Sequence, residues 1–275
     1  MRKRNAPTIF GYLLLTIGAI LLVAPFFYMV MTSLKSNQEA TEPVFSFLVK
    51  NPTLDPYKRL MDAGLVGRAA FNSLVVAFLT TIANMYFGAL AGFAFAKHKF
   101  PGRDGLFLAL LSTMMIPGAV LLVPGFLLFR DFGWLDTWLP LIVPSLCGAF
   151  SVFLARQFIV GIPDSLLEAA KIEGCSEFQI FQRVILPVSK SLLATVGILT
   201  FLGSWNSFLG PLIILQDEKK YTLPLVIAML QGRFPGQQNT QMAGALISIA
   251  PVLILFFLFQ KQIVESLASS GLKEG

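Results

Sequence analysis

The 275 residues are 55% hydrophobic and only 13% charged, with a mean hydropathy of +0.73, against roughly 45–50% apolar and 25% charged in soluble domains. That composition excludes an ordinary soluble enzyme. The net charge of +6 does not point to nucleic acid either, because Lys and Arg are scattered singly or in twos and threes without aromatic interleaving; the lipid bilayer is the expected partner.

Charge-free stretches cover 5–34, 69–96, 105–129, 137–155, 191–216 and 234–260, each at or above the ~18 residues needed to span. They predict an all-α membrane protein with six transmembrane helices. The loops between them leave no room for a separate soluble catalytic domain of ordinary size. Arg2, Lys3 and Arg4 precede the first stretch, and Lys97, Lys99 and Arg103 crowd the short loop after the second, whereas the loop after the third offers Arg130. Positive charge gathers on the inner side, so both termini are expected to be cytoplasmic. The first apolar run, about Ile9 to Met31, exceeds a 7–15-residue signal-peptide core and reads as an uncleaved anchor. Residues 1–8 then form a cytoplasmic N-terminus, 9–260 the transmembrane domain and 261–275 a cytoplasmic tail. The outer loops, about 32–68 and 217–233, are the exposures where an external partner would dock. Tyr221 to Gly232, broken by Pro224, is too short to span.

Within the spans, Gly88-x-x-x-Gly92 reads as a close helix approach inside the bundle. Pro25, Pro117, Pro124, Pro140, Pro144, Pro211 and Pro251 predict kinks. The fifth span is the most polar, with Gly203-Ser-Trp-Asn-Ser207 near its centre. Asn206 there either holds the bundle through an interhelical hydrogen bond or lines a path, and Asn72, Ser73 and Asn84 pose the same alternatives. Asn84, Trp205 and Asn206 are the candidate path residues, from polarity at membrane depth and an aromatic face suited to a sugar ring. The charge-free spans argue against ion-coupled transport and favour a neutral polar solute. Cys147 and Cys175 have no metal or redox spacing and read as reduced thiols. His98 reads as a solvated side chain, and no metal site or catalytic residue is expected.

The connection between the fourth and fifth spans, within 159–190, carries the densest helix signals. Ser165-x-x-Glu168 is a capping box predicting a helix from about Leu166 to Glu173, and Gly174 ends it. Ser176-x-x-Gln179 is a second box, opening a helix from about Glu177 to Ile185 that Pro187 closes. Each is shorter than the ~12–15 residues that hold in water alone, so both need something to pack against. Leu166, Leu167, Ala169, Ala170 and Ile172 leave much of the first helix apolar, and Phe178 and Phe181 share a face of the second. One apolar face can rest on the bundle and the other enter a partner's groove, or the pair can lie on the lipid interface.

Glu168-Ala169-Ala170, three residues, Gly174, nine residues, then Val184-Ile185-Leu186-Pro187 resembles the E-A-A-x3-G-x9-I-x-L-P loop of ABC importer permeases, with Val184 where isoleucine is usual. Ser204-Trp-Asn-Ser-Phe-Leu-Gly-Pro-Leu212, Tyr221-Thr-Leu-Pro-Leu225 and Met242-Ala-Gly-Ala with Pro251-Val-Leu-Ile-Leu255 are similar to the carbohydrate permeases of the maltose-transporter type, closest to the smaller, six-span subunit. Gly271-Leu-Lys-Glu-Gly275 resembles that family's terminal Gly-x-x-Lys-Gly, with Lys273 and Glu274 departing from its order.

The resemblance implies the type I ABC importer permease fold in a bacterial or archaeal plasma membrane. It implies a second homologous permease (a heterodimer), two cytoplasmic ABC ATPases and an external solute-binding protein as partners. Leu166, Leu167, Glu168, Ala169, Ala170, Gly174, Leu186 and Pro187 become the ATPase-coupling residues, and Gly271, Leu272 and Lys273 a tail contact to the ATPase. The chain lacks G-x-x-x-x-G-K-[S/T], so it is read as a transport subunit that binds no cofactor, with ATP and Mg used by the partner. The expected cargo is a sugar or oligosaccharide. The competing readings are a phosphorylated polyol permease, which needs cations near the path, a secondary carrier or channel, and a scaffold that positions another enzyme.

Overall fold

The computed structural model describes residues 6–42 and 46–271, with side chains over 11–42, 46–258 and at Gln260. The described residues form helices and loops, with no strand among them.

Helix α1, Ala6–Ser33, is apolar enough to cross a bilayer over Gly11–Ser33. Short helices α2 (Asn37–Ala40) and α3 (Asp55–Asp62) lead to α4 (Leu65–Lys97), the second span. The third stretch is not one straight helix. α5 (Arg103–Thr113) stops before Pro117, and the chain turns by 90° into a 3-10 turn, Gly118–Leu121, and α6 (Leu122–Asp131). Pro117 is extended, with ψ 128°, and a proline restricts the residue before it as well, so the helix ends there.

The fourth span, Leu139–Val160, is pieced from α7 (Leu139–Ile142), a 3-10 turn at Val143–Ser145 and α8 (Ala149–Val160). The following connection holds α9 (Asp164–Ile172), α10 (Glu177–Ile180), a π turn at Phe181–Ile185 and α11 (Leu186–Val188). At Ser189 the chain bends by 81° into α12 (Lys190–Trp205), and α13 (Leu209–Ile214) follows after a break. The 191–216 stretch is therefore two helices. α14 (Leu223–Arg233) has 11 residues, too few to cross. α15 (Gln238–Gly271) holds the last span over Gln238–Leu258. Four helices cross by length and composition, and six spans result when each bent pair counts once.

The chain divides into two compact units, Met1–Gly67 with Val226–Pro251 and Arg68–Leu225 with Val252–Gly275. In the first, the buried charges are satisfied internally. Lys35 Nζ donates to the Ser46 carbonyl at 2.7 Å, Asn239 Nδ2 donates to the Lys35 carbonyl at 3.0 Å, and Glu39 accepts from the Lys50 amide at 2.8 Å.

In the second unit, glycines set a helix contact. A Cβ on Gly88 would stand 2.9 Å from Ser151 Cβ, and one on Gly92 would overlap Ala155 Cβ and stand 2.8 Å from the Arg156 backbone nitrogen. The Gly88-x-x-x-Gly92 spacing thus lets α4 lie directly on α8, the bundle-packing role expected of it. Asn72 and Ser73 also prove structural: Asn72 Nδ2 donates to the Lys219 and Tyr221 carbonyls, both at 2.9 Å, and Ser73 Oγ accepts from the Leu223 amide at 2.7 Å. The core of the unit gathers Phe93 and Ala89 of α4, Ala155 and Ile159 of α8, and Leu192 and Val196 of α12. Its remaining members come from the 159–190 connection.

Candidate coupling surface and solute cleft

The connection is rooted in that core rather than lying free. Ile180, Phe181 and Ile185 are fully buried, and Leu167 and Ala170 of α9 are 7% exposed against them. The Phe181 ring stacks on Phe93 at 5.9 Å and meets Tyr86 edge-on at 5.6 Å. Truncating buried side chains of this size typically costs about 2–5 kcal/mol, enough to hold helices too short to stand alone.

Its local geometry departs from the sequence reading at the first helix. The Ser165-x-x-Glu168 box does not form: α9 starts at Asp164, the N-cap is Pro163, and no side chain caps it. Pro163 with ψ 136° takes the extended N-cap conformation two residues earlier, which places Ser165 inside the first turn. The start is held from outside instead. Lys97 Nζ, at the end of α4, donates to the Ile162 carbonyl and to Asp164 Oδ1, both at 2.6 Å. The hydrogen bond from Lys97, with its charge, lowers the Asp164 pKa from the ordinary aspartate value.

The stop is as the sequence predicts. Gly174 has φ +82°. Its amide donates to the Lys171 carbonyl and the Cys175 amide to the Ala170 carbonyl, both at 3.0 Å, the paired bonds of a Schellman cap. The second box forms with both halves, Gln179 N to Ser176 Oγ at 3.3 Å and Ser176 N to Gln179 Oε1 at 2.8 Å. Pro187 does not close the second helix. The chain widens into the π turn at 181–185 and continues through Pro187 to Val188, because the wider turn relieves the clash a proline ring makes with the carbonyl four residues back.

These turns sort the coupling candidates onto two faces. Leu167 and Ala170 point into the core, and Leu186 packs against it. Leu166, Glu168 and Ala169 are exposed, together with Ile172, which is 88% exposed. Leu166, Ala169 and Ile172 lie three residues apart and so form one apolar stripe along α9. Glu168 is at the rim of a small cleft with Lys97, Lys99, Arg103 and Lys171. Gly271 is the last residue of α15, while Leu272 and Lys273 lie outside the described residues.

The three path candidates separate. Asn84 is on the wall of a cleft of about 510 Å³. Trp205 is 2% exposed and stacks on Phe201 at 5.8 Å, off the cleft. Asn206 follows the last residue of α12, exposed and also off the wall. Because α12 ends there, its neighbours Ser204 and Ser207 reach the cleft. The other polar wall residues are Thr80 of α4, Ser145 and Ser151 of the fourth span, Thr200 of α12 and Thr222 before α14. The cleft lies wholly within the second unit. Thr80 and Thr222 were not legible as residues of the cleft wall, since single threonines in apolar runs are common.

A family model described as "Binding-protein-dependent transport system inner membrane component" matches residues 84–268. The chain is 32% identical over 273 residues to the arabinooligosaccharides transport system permease protein AraQ of Bacillus subtilis, covering 98% of this chain and 96% of that one. It is 30% identical to the lactose transport system permease protein LacG of Rhizobium radiobacter, over 98% and 97% of the two chains. Its fold resembles a chain of a bacterial ABC transporter involved in the import of the acidic polysaccharide alginate, with a TM-score of 0.84, 24% identity, and coverage of 95% and 98%. The chain therefore belongs to the ABC importer permeases, as a binding-protein-dependent transport system inner membrane component.

Proposed function

We propose that this chain is the permease subunit of an ATP-driven importer for a sugar or oligosaccharide, forming half of the translocation path and taking its energy from a separate ATPase through α9. The observation that carries the coupling role is the two-faced α9. Leu167 and Ala170 fix it to the core, and Leu166, Ala169 and Ile172 are turned outward as an apolar stripe on a surface helix. Such a stripe suits a groove on a partner. A push on it passes directly to Phe181, Ile185 and α12, which share that core.

The partners in this reading are a second homologous permease, two ABC ATPases on the cytoplasmic side that use ATP and Mg, and an external solute-binding protein, in a bacterial or archaeal plasma membrane. The tail, Gly271, Leu272 and Lys273, is proposed as a second ATPase contact. A sugar cargo draws support from relatives named for arabinooligosaccharides and lactose. The test is the ATPase activity of the complex co-purified through this chain and reconstituted in lipid, with and without the external binding protein and a panel of sugars. Sugar-dependent stimulation is expected. A complex without an associated ATPase would discard the coupling role.

A further inference from the structure

Beside the apolar stripe of α9 lies the small polar cleft of about 360 Å³, walled by Lys97 at the end of α4, Lys99 in the loop that follows, Arg103 at the start of α5, and Asp164, Glu168 and Lys171 of α9. Most of these charges are matched within the chain. Lys97 bonds Asp164 at 2.6 Å, and Lys171 bonds Glu177 at 2.7 Å. Arg103 meets Asp104 through Nε at 2.9 Å, which leaves the two terminal amino groups of its guanidinium. Lys99 and Glu168 are exposed, and their side chains make no ion pair or hydrogen bond among the described residues. The unmatched groups thus divide by side, with cations at 99 and 103 and one carboxylate on α9.

We infer that the loop after the second span is a further docking contact for the ATPase, separate from α9, and that the ATPase sets a carboxylate between Lys99 and Arg103 in this cleft. The inference rests on the reading of α9 as an ATPase contact and extends that surface to a second part of the chain. Continuity carries it first. Glu168 and Lys171 each precede a stripe residue, Ala169 and Ile172, and so lie on the neighbouring row of the same helix. A partner that covers the stripe therefore reaches the cleft, and an apolar stripe edged by charge has the layout of an interface core and its rim. Position carries it next. Asn72 of α4 is bonded to the outer loop at Lys219 and Tyr221, and from there to Lys97 the helix rises about 38 Å, more than the ~30 Å of the hydrocarbon core. The Lys97 end projects past the inner edge of that core, where a cytoplasmic protein meets it. The charge pattern favours a protein over a lipid headgroup. A lipid phosphate drawn to Lys99 and Arg103 would also face the Glu168 carboxylate, whereas a protein surface can oppose the two sides with opposite charges.

The test uses the complete complex in lipid nanodiscs, with p-benzoylphenylalanine at position 99 in one preparation and at position 172 in another, and with Lys99→Gln and Lys99→Glu in two more. Dilution of the fluorescently labelled complex gives the apparent Kd of the ATPase at low and high KCl. Position 99 is expected to label the ATPase. At low salt Lys99→Gln should weaken its binding about two- to fivefold, and Lys99→Glu, which sets like charges together, about tenfold or more. Both losses should shrink at high salt, where exposed charges are screened. Because the Lys99 side chain bonds to nothing among the described residues, the melting temperature of this chain should be unchanged. Labelling of the ATPase from 172 but of lipid alone from 99 would overturn the inference and leave the role of α9 standing, with the cleft turned to the headgroups. An unaltered Kd in Lys99→Glu at low salt would overturn it as well. Failure of the α9 reading has its own signature, no ATPase labelled from either position.

Discussion

Lys97 Nζ lies 2.6 Å from Asp164 Oδ1, tying the last residue of the second span to the first turn of the helix that carries the apolar stripe. The lysine side chain is 7% exposed and the aspartate 75%. The two partners therefore matter unequally. Lys97→Met removes the bond to Asp164 and the charged bond to the Ile162 carbonyl, the latter alone worth about 1.5–3 kcal/mol. Asp164→Asn leaves the carbonyl bond in place. The lysine variant is expected to lose most ATP-driven uptake while retaining membrane insertion, and the asparagine variant to lose little. The Asp164 pKa is depressed, so its share of the tether is full above the ordinary aspartate range and fades only as acid protonates the carboxylate. Uptake and ATP hydrolysis measured on both variants check the order.

Gly174 stands at φ +82°, and a Cβ added there would meet no atom within 4 Å, so a replacement is opposed by backbone conformation and not by crowding. A left-handed residue with a side chain costs roughly 1–2 kcal/mol, more for a β-branched one. Gly174→Val is expected to insert and fold, yet to misdirect α10 and uncouple uptake from ATP hydrolysis. Solute moved per ATP is the quantity to measure. Normal uptake by this variant would sink the role given to the cap.

Gly92 is opposed by crowding. Gly92→Ala sets a methyl against Ala155 and the Arg156 backbone, and overpacking of this kind costs about 1–3 kcal/mol. Gly67→Ala meets nothing within 4 Å and should be neutral or stabilising by roughly 0.5–1 kcal/mol as a helical Gly-to-Ala change. Thermal denaturation of the purified complex compares the two.

Asp136 predicts a pH dependence. Its carboxylate accepts the amides of Gln216 and Asp217, both at 2.9 Å, and Lys220 Nζ at 2.5 Å. These bonds, the one from Asp217 foremost, pull its pKa down to about 2. A depressed folded pKa gives stability that is full above the unfolded value of ~3.9 and is lost as pH falls through the folded one. Amide-exchange protection of 214–221 should hold from neutral pH down to about 4 and fall progressively toward about 2. In Asp136→Leu it should be low throughout. Asp136 itself has φ 54°, a conformation that aspartate tolerates better than a bulky residue does.

The spans were legible because a bilayer core excludes charge, and six gaps in the charge pattern are visible without any knowledge of packing. The breaks were less so. Pro117 ends a helix, whereas Pro25 and Pro251 lie inside theirs, and the sequence around them does not distinguish the outcomes. The two capping boxes differ in the same way. Ser176-x-x-Gln179 forms, but the equivalent spacing at Ser165 does not, because Pro163 takes the cap and Lys97, 67 residues before Asp164 in sequence, secures the turn by bonding that aspartate. Asn84 stands on the cleft while Trp205 and Asn206 miss it, a matter of where α12 stops, which polarity alone does not reveal.

The coupling role of α9 is tested most directly by photo-cross-linking. p-Benzoylphenylalanine replaces Ile172 on the exposed stripe, and in a second preparation the buried Ile185, in the complete complex reconstituted in lipid. Position 172 is expected to label the ATPase subunit, with the yield changing when ATP is added, and position 185 to label this chain alone. Labelling of lipid only from position 172 would contradict the coupling role and leave α9 as a helix resting on the membrane surface.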